Sequence, residues 1–161
     1  MLVEFEQLPE EARLWIYQSN RPFTEQELEE IKPSIENFLT TWTVHGADLL
    51  AGYLIKYKRF IIIGLNQDLN KASGCSIDAS VRFIQELEKK YGVDLMDKMN
   101  VTFKQGEFIA YKPLSDFKLM AKNKSVSGNT VVFNNLVVNK ADFEENWEVP
   151  ASESWHSRFI K

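Results

Sequence analysis

Residues 49–66 read LLAGYLIKYKRFIIIGLN, and this stretch decides the expected fold. Two β-rich runs, 49–57 and 59–66, meet at a basic corner, which predicts a β-hairpin. The apolar run at 60–63 shows no alternation with polar residues, so it predicts an interior strand that is covered on both faces. The first run of the hairpin is then expected at the edge of the sheet.

The register of this hairpin predicts where its two ends meet. We expect the turn to be centred between Tyr57 and Lys58, which places His45 opposite about Asn70. The segment that contains Cys75 follows directly. We therefore expect His45 and Cys75 to lie within roughly 10 Å of each other, about two strand spacings.

A strand and a helix precede the hairpin. Residues 12–19 have strand character. Thr24 and Glu27 form a capping box, and apolar residues then recur at helical spacing to about Trp42. Pro33 lies inside this helix, where it removes a backbone donor and predicts a kink or a break near Ile31.

A second helix follows the SGCSID stretch at 73–78 and is expected to end at Gly92. With a further strand at 101–104, the order over residues 12–104 becomes strand, helix, strand, strand, helix, strand. This is the order of a ferredoxin-like β-α-β-β-α-β unit. We expect a single α+β domain over residues 1–161, with an antiparallel sheet, helices on one face and a C-terminal extension of that core.

The last third of the chain predicts shorter elements. A turn at Gly106 separates two strands. Ser115 is expected to cap a short helix that runs through Met120. Residues 131–138 are strand-like, and a last short helix follows Asn139.

The composition excludes several classes of function. The chain has 161 residues, a net charge of -4 and a pI of about 5.3, so it lacks the basic surface that nucleic acids and anionic membranes attract. A single cysteine cannot form an internal disulfide, and the acidic N-terminal stretch differs from a secretory signal. We expect a cytoplasmic protein without a cofactor, either a monomer or a homodimer.

The SGCS sequence is the strongest candidate for a binding site. The first backbone N–H groups of a helix favour a negatively charged partner, so Ser73, Gly74, Ser76 and Asp78 are candidate ligand-binding residues, together with Gly46. The expected ligand is a small molecule or anion. The alternative is that Ser76 simply caps the helix and Asp78 complements its dipole.

Cys75 also fits a catalytic role. A helix N-terminus and a nearby imidazole both favour a thiolate, so Cys75 as nucleophile with His45 as base is a candidate catalytic pair, and Asp68 or Asp78 could orient the imidazole. Alternatively, Cys75 is a small buried apolar residue and His45 closes a turn.

The C-terminal stretch 150–159 is rich in aromatic residues, and Trp155 and Phe159 are expected to dock on the rest of the protein. This docking either covers a sheet face or brings His156 and Arg158 to the edge of the SGCS loop, where they would complete a ligand pocket.

Metal and nucleotide motifs are missing from the sequence. The two histidines, the cysteine and Asp68 match no zinc spacing, so no metal site is expected. No phosphate-binding loop with a lysine is present, since the nearest match, residues 125–130, lacks that lysine and leads into a strand. We therefore expect no ATP hydrolysis.

Four short stretches carry a resemblance to a known family: residues 15–18 (WIYQ), 42–46 (WTVHG), 73–78 (SGCSID) and 154–156 (SWH). Over nearly its whole length, the chain resembles a family of small bacterial proteins, typical of the Bacteroidetes, that often carry the label "ABC transporter ATPase". The resemblance implies a shared fold and shared special positions. The label does not fit, because such an ATPase needs Walker and signature motifs that this sequence lacks.

Three functions remain open from the sequence. The leading interpretation is a protein that binds a small ligand or anion at the sheet edge near residues 45–46 and 73–78. The second is an enzyme that depends on Cys75 and His45. The third is an interaction or scaffold protein whose exposed strand edge pairs with a partner or with itself.

Overall fold

The computed structural model describes residues 1–44, 46–67 and 72–160. It contains helices and antiparallel sheets, so the α+β class is confirmed. The chain divides into two compact units, the first formed by residues 1–96 and 138–140 and the second by residues 97–137 and 141–161. The single domain expected over residues 1–161 stays a prediction. None of the helices described is long and apolar enough to cross a membrane.

The first unit is built around a three-stranded antiparallel sheet in the order β1-β5-β4. Its elements are β1 (Arg13–Gln18), α1 (Glu25–Thr41), β2 (Thr43–Val44), β3 (Ala47–Asp48), β4 (Leu50–Lys56), β5 (Phe60–Asn66) and α2 (Gly74–Tyr91). Strand β5 is central and buried from Phe60 to Leu65, and β4 lies at the edge. Both expectations for the hairpin are therefore confirmed.

The pairing register of the hairpin differs from the prediction by one residue. Lys56 pairs with Phe60, so the turn is centred on Lys58 rather than between Tyr57 and Lys58. Both Tyr57 and Lys58 have positive φ, at 54° and 56°, and this left-handed backbone accommodates a three-residue loop.

Helix α1 begins as its sequence predicts. The Thr24 hydroxyl accepts the Glu27 N–H at 3.1 Å, and the Glu27 carboxylate accepts the Thr24 N–H at 2.9 Å. The helix continues through Pro33, so a break there is wrong, whereas the alternative of a kink stays a prediction. Ile31 and Ile35, on either side of the proline, are both fully buried, and their packing against the sheet holds the helix together across the missing hydrogen bond.

The ferredoxin-like core is not confirmed. Strand β6 (Asn100–Gln105), expected as its fourth strand, lies in the second unit, where it pairs with β7 (Phe108–Pro113) and β8 (Val131–Phe133). Strand β7 is the nearest partner along the chain, because a short hairpin with its turn at Gly106 joins it to β6. Beside β1 lies the short segment 138–140 instead, where the Leu14 N–H donates to the Val138 carbonyl at 2.9 Å.

The second unit contains a four-stranded antiparallel sheet in the order β7-β6-β8-β9. Its other elements are α3 (Leu114–Lys122), most of α4 (Lys140–Asn146), β9 (Glu148–Pro150) and a 3-10 helix (Trp155–Phe159). Trp155 and Phe159 pack against the core of this unit, around Phe103 and Phe117, so the expected docking of the C-terminal stretch is confirmed.

Two boundaries in the second unit differ from those that the sequence predicts. Ser115 does not cap α3, because the helix begins one residue earlier, at Leu114, without a side-chain cap. The strand expected over residues 131–138 ends at Phe133. There the Asn134 side chain accepts the Leu136 N–H at 3.1 Å, and an asparagine bonded two residues onward favours a turn over a continued strand.

Candidate functional site: a groove at the start of helix α2

Ser73 sets the start of helix α2. Its hydroxyl accepts the Ser76 N–H at 3.2 Å, so Gly74 and Cys75 are the first two residues of the helix. The alternative in which Ser76 caps the helix is therefore wrong, since Ser76 is the third helical residue and is buried. Asp78 is the fifth residue, exposed and beyond the first turn, where the dipole effect fades.

Ser76 joins the helix to the segment that follows α1. Its hydroxyl donates to the Thr43 carbonyl at 2.9 Å, and the Trp42 indole N–H donates to the Ser76 carbonyl at 2.9 Å. These two bonds hold strand β2 against the first turn of α2. The sequence pattern shows Trp42 only as the end of a helical stripe, although a tryptophan that closes such a stripe carries a polar N–H that needs a partner when buried.

A groove of about 340 Å³ opens between these elements. It is lined by Phe38, Thr41, Trp42, Thr43, Ser73, Cys75, Ser76 and Ala79. One wall is aromatic, because the ring centroids of Phe38 and Trp42 lie 5.5 Å apart and Phe38 also stacks on Phe83 at 4.6 Å. The opposite wall is the N-terminal turn of α2. The groove can therefore offer backbone donors and an apolar surface to the same ligand.

The serine hydroxyls of the groove are already engaged. Because the Ser76 hydroxyl donates to Thr43, the 3.0 Å contact between the two serine hydroxyls must be donated by Ser73. The N–H groups of Gly74 and Cys75 belong to the first helical turn, which leaves them without a partner inside the helix. A ligand would therefore be held by backbone N–H groups rather than by serine side chains.

Cys75 is exposed and lines the groove. The alternative in which it is a buried packing residue is therefore wrong.

We expect the Cys75 thiol to react with iodoacetamide in the folded protein, because solvent reaches it without unfolding. Intact mass spectrometry without denaturant should show one added carbamidomethyl group, since the chain has a single cysteine. Cys75→Ala should take up none. Modification that requires denaturant would contradict the exposed position.

The partner expected for Cys75 lies outside the described residues. This partner is His45; of the neighbouring residues, Val44 pairs with Ala47 and Gly46 has a φ of +81°. The proximity of His45 to Cys75 stays a prediction, and Asp68 also lies outside the part of the chain that is described. Gly46 is exposed at this turn and is not among the residues that line the groove.

The two C-terminal candidates belong to the second unit. His156 is 1% exposed, with Nδ1 2.7 Å from the Ser154 hydroxyl and its ring between Phe117 and Trp155. Burial lowers the pKa of this imidazole to about 4, so it is neutral at physiological pH. Arg158 is exposed. Their expected place beside the SGCS loop stays a prediction.

Within residues 1–44, 46–67 and 72–160, no three histidine, cysteine, aspartate or glutamate side chains gather closely enough to hold a metal ion. Comparison with known proteins adds no family: no protein-family model, no curated protein and no solved structure matches this chain.

Proposed function

We propose that this protein binds a small ligand with an anionic group, a carboxylate or a single phosphate, in the groove at the start of α2. The observation that carries the proposal is the opening of the groove onto the first turn of α2, where the exposed Cys75 lines it and the exposed Gly74 directly precedes Cys75. A negative charge near a helix N-terminus is stabilised by about 0.3–1 kcal/mol, and by up to about 2 kcal/mol where it is partly buried.

The rest of the ligand is expected to be apolar or aromatic. Half-buried Phe38 and the nearly covered Trp42 line the groove, and no Lys or Arg of the described residues does so. Affinity would thus come from apolar contact, with the helix turn fixing the orientation of the anionic group. We also propose that the protein acts in the cytoplasm and that it is related to the small bacterial family that its sequence resembles.

Substitution of Gly74 tests the anion site directly. A proline at the first helical position keeps the helix but removes the N–H that would contact the anion. The backbone accepts this change, because Ser73 is extended, with φ -90° and ψ 171°, and a Cβ at position 74 would meet no atom of another segment within 4 Å. We expect Gly74→Pro to weaken the binding of phosphate and of phenylacetate about tenfold, the value of one hydrogen bond to a charged group.

The matched control is Gly74→Ala, which retains the N–H and should bind both probes as the unmodified protein does. Binding is measured by NMR titration of the Cys75 amide signal, which the unmodified protein and both variants share. Equal affinity of the proline and alanine variants would place the anion elsewhere, and the absence of shifts with either probe would overturn the proposal.

An enzyme that uses Cys75 is the second candidate, and the exposure of this thiol in the groove favours it. In this function His45 would accept the thiol proton and the thiolate would attack an electrophilic carbon of the bound ligand. The alkylation rate of His45→Ala separates the candidates. A clear loss of rate at neutral pH would support catalysis, whereas an unchanged rate would leave ligand binding alone.

A further inference from the structure

The outer edge of strand β4 is only partly covered. The Ala51 N–H donates to the Met1 carbonyl at 3.0 Å, and the Val3 N–H donates to the Ala51 carbonyl at 2.8 Å. Both groups of Ala51 thus point away from β5. After Val3 the chain leaves the edge and crosses the sheet at Gly52, where an added Cβ would lie 2.8 Å from the Val3 carbonyl oxygen.

The next outward positions of β4 have no strand beside them. Backbone groups in an antiparallel strand point alternately toward the two neighbours, so Tyr53 and Ile55 point outward as Ala51 does. Among the residues described, no backbone group pairs with them on that side. The edge therefore offers two N–H groups and two carbonyls in a row, bounded by the N-terminal segment at one end and by the Tyr57 turn at the other.

A groove of about 330 Å³ runs along this edge. Helix α1 contributes Lys32 and Glu36 to it, and the Tyr53 hydroxyl donates to the Glu36 carboxylate at 2.6 Å. Lys32 forms no ion pair with any part of the chain that the structure describes. The N-terminal segment contributes a second carboxylate, Glu4, to the same groove. On the side of α1, the open strand edge is flanked by one positive and one negative side chain, spaced one helical turn apart.

We propose that the β4 edge pairs with the β4 edge of a second copy of this chain to form an antiparallel homodimer. One register satisfies the outward groups. It places Tyr53 opposite Ile55 of the second copy, which gives four backbone hydrogen bonds, and places Leu54 opposite Leu54 of the second copy at the two-fold axis. A shift by two residues in one direction would set Ile55 opposite Ala51, whose backbone groups are already bonded. A shift in the other direction would set Tyr53 opposite the turn at Tyr57.

The charges on α1 are self-complementary about the same axis. Antiparallel edge pairing puts the equivalent faces of both sheets on one side, so the two α1 helices approach each other across the joint. Lys32 of each copy then faces Glu36 of the other. The half-buried side chains of Leu54 and Ile55 would be covered by the same contact.

Charge reversal tests this dimer by sedimentation velocity over a concentration series. We expect the unmodified chain to dimerise and K32E to weaken the dimer at least about tenfold, because two attractive pairs become two repulsions. E36K should weaken it equally. An equimolar mixture of K32E and E36K should restore the dimer, since the glutamates of one copy then face the lysines of the other.

Y53F is the matched control for E36K, because it removes the same tyrosine hydrogen bond without a change in charge and should leave the dimer intact. Circular dichroism checks that each variant is folded. A monomer at every concentration would overturn the proposal. A dimer that is indifferent to K32E and E36K, or a mixture that stays monomeric, would assign association to another surface and overturn it equally.

Discussion

Replacement of Trp42 by alanine is expected to lower the free energy of unfolding by about 3–5 kcal/mol, the usual cost of deleting a buried large aromatic side chain. The indole is 2% exposed and contacts Trp15 and Phe38 at centroid distances of 6.0 and 5.5 Å. It also donates the hydrogen bond that holds the first turn of α2. Urea unfolding followed by far-ultraviolet circular dichroism measures the loss.

Two variants separate packing from hydrogen bonding at this position. Trp42→Phe keeps most of the ring contact but loses the N–H, and should cost about 1–2 kcal/mol. Trp15→Phe removes a comparable area from a half-buried indole and serves as the control. A loss below about 1 kcal/mol in the free energy of unfolding for Trp42→Ala would show that this indole does not support the core. It would also contradict the packed position of Trp42 in the wall of the groove.

The local signals of the sequence predicted local structure well. Thr24 and Glu27 mark the start of α1, and Gly92 ends α2 in a left-handed conformation with φ 61°. Val93 follows in the core, as the capping pattern predicts. In each case the chemistry that fixes the boundary lies within a few residues of it, so it can be read from the sequence.

The choice of strand partners could not be predicted in this way. Nothing in residues 101–104 indicates that this strand joins β7 and β8 rather than β1, because an apolar strand pairs with any edge that the topology offers. The segment beside β1 comes from residues 138–140, far along the chain. Such pairings depend on the energies of competing long-range contacts, which local patterns do not contain.

The groove at the start of α2 could be predicted from the sequence only in part. The SGCS sequence indicated a helix start, and Cys75 and Ser73 do line a groove there. The engagement of both serine hydroxyls depends on Thr43, a residue more than thirty positions earlier in the chain. The aromatic wall likewise depends on how α1 packs against α2, so neither feature could be derived from the SGCS stretch alone.

Acid is expected to destabilise the second unit through His156. Burial lowers the pKa of this imidazole from 6.5 to about 4 in the folded state. Below pH 6.5 the unfolded chain therefore takes up a proton that the folded chain does not bind until about pH 4. The contribution of neutral His156 to stability is complete above pH 6.5 and is lost as the pH falls toward 4, by about 3 kcal/mol in total.

A comparison with His156→Gln isolates this effect from the titration of carboxylates. Glutamine does not titrate, so the advantage of the unmodified chain over the variant should shrink by about 3 kcal/mol between pH 7 and pH 4. In His45→Ala the only remaining histidine is His156, and its ring proton signal should shift only near pH 4. The contrary result is a His156 ring signal that shifts near pH 6.5, together with a pH-independent difference in stability between the unmodified chain and His156→Gln. It would show that the imidazole faces solvent, as a ligand-binding role for His156 requires.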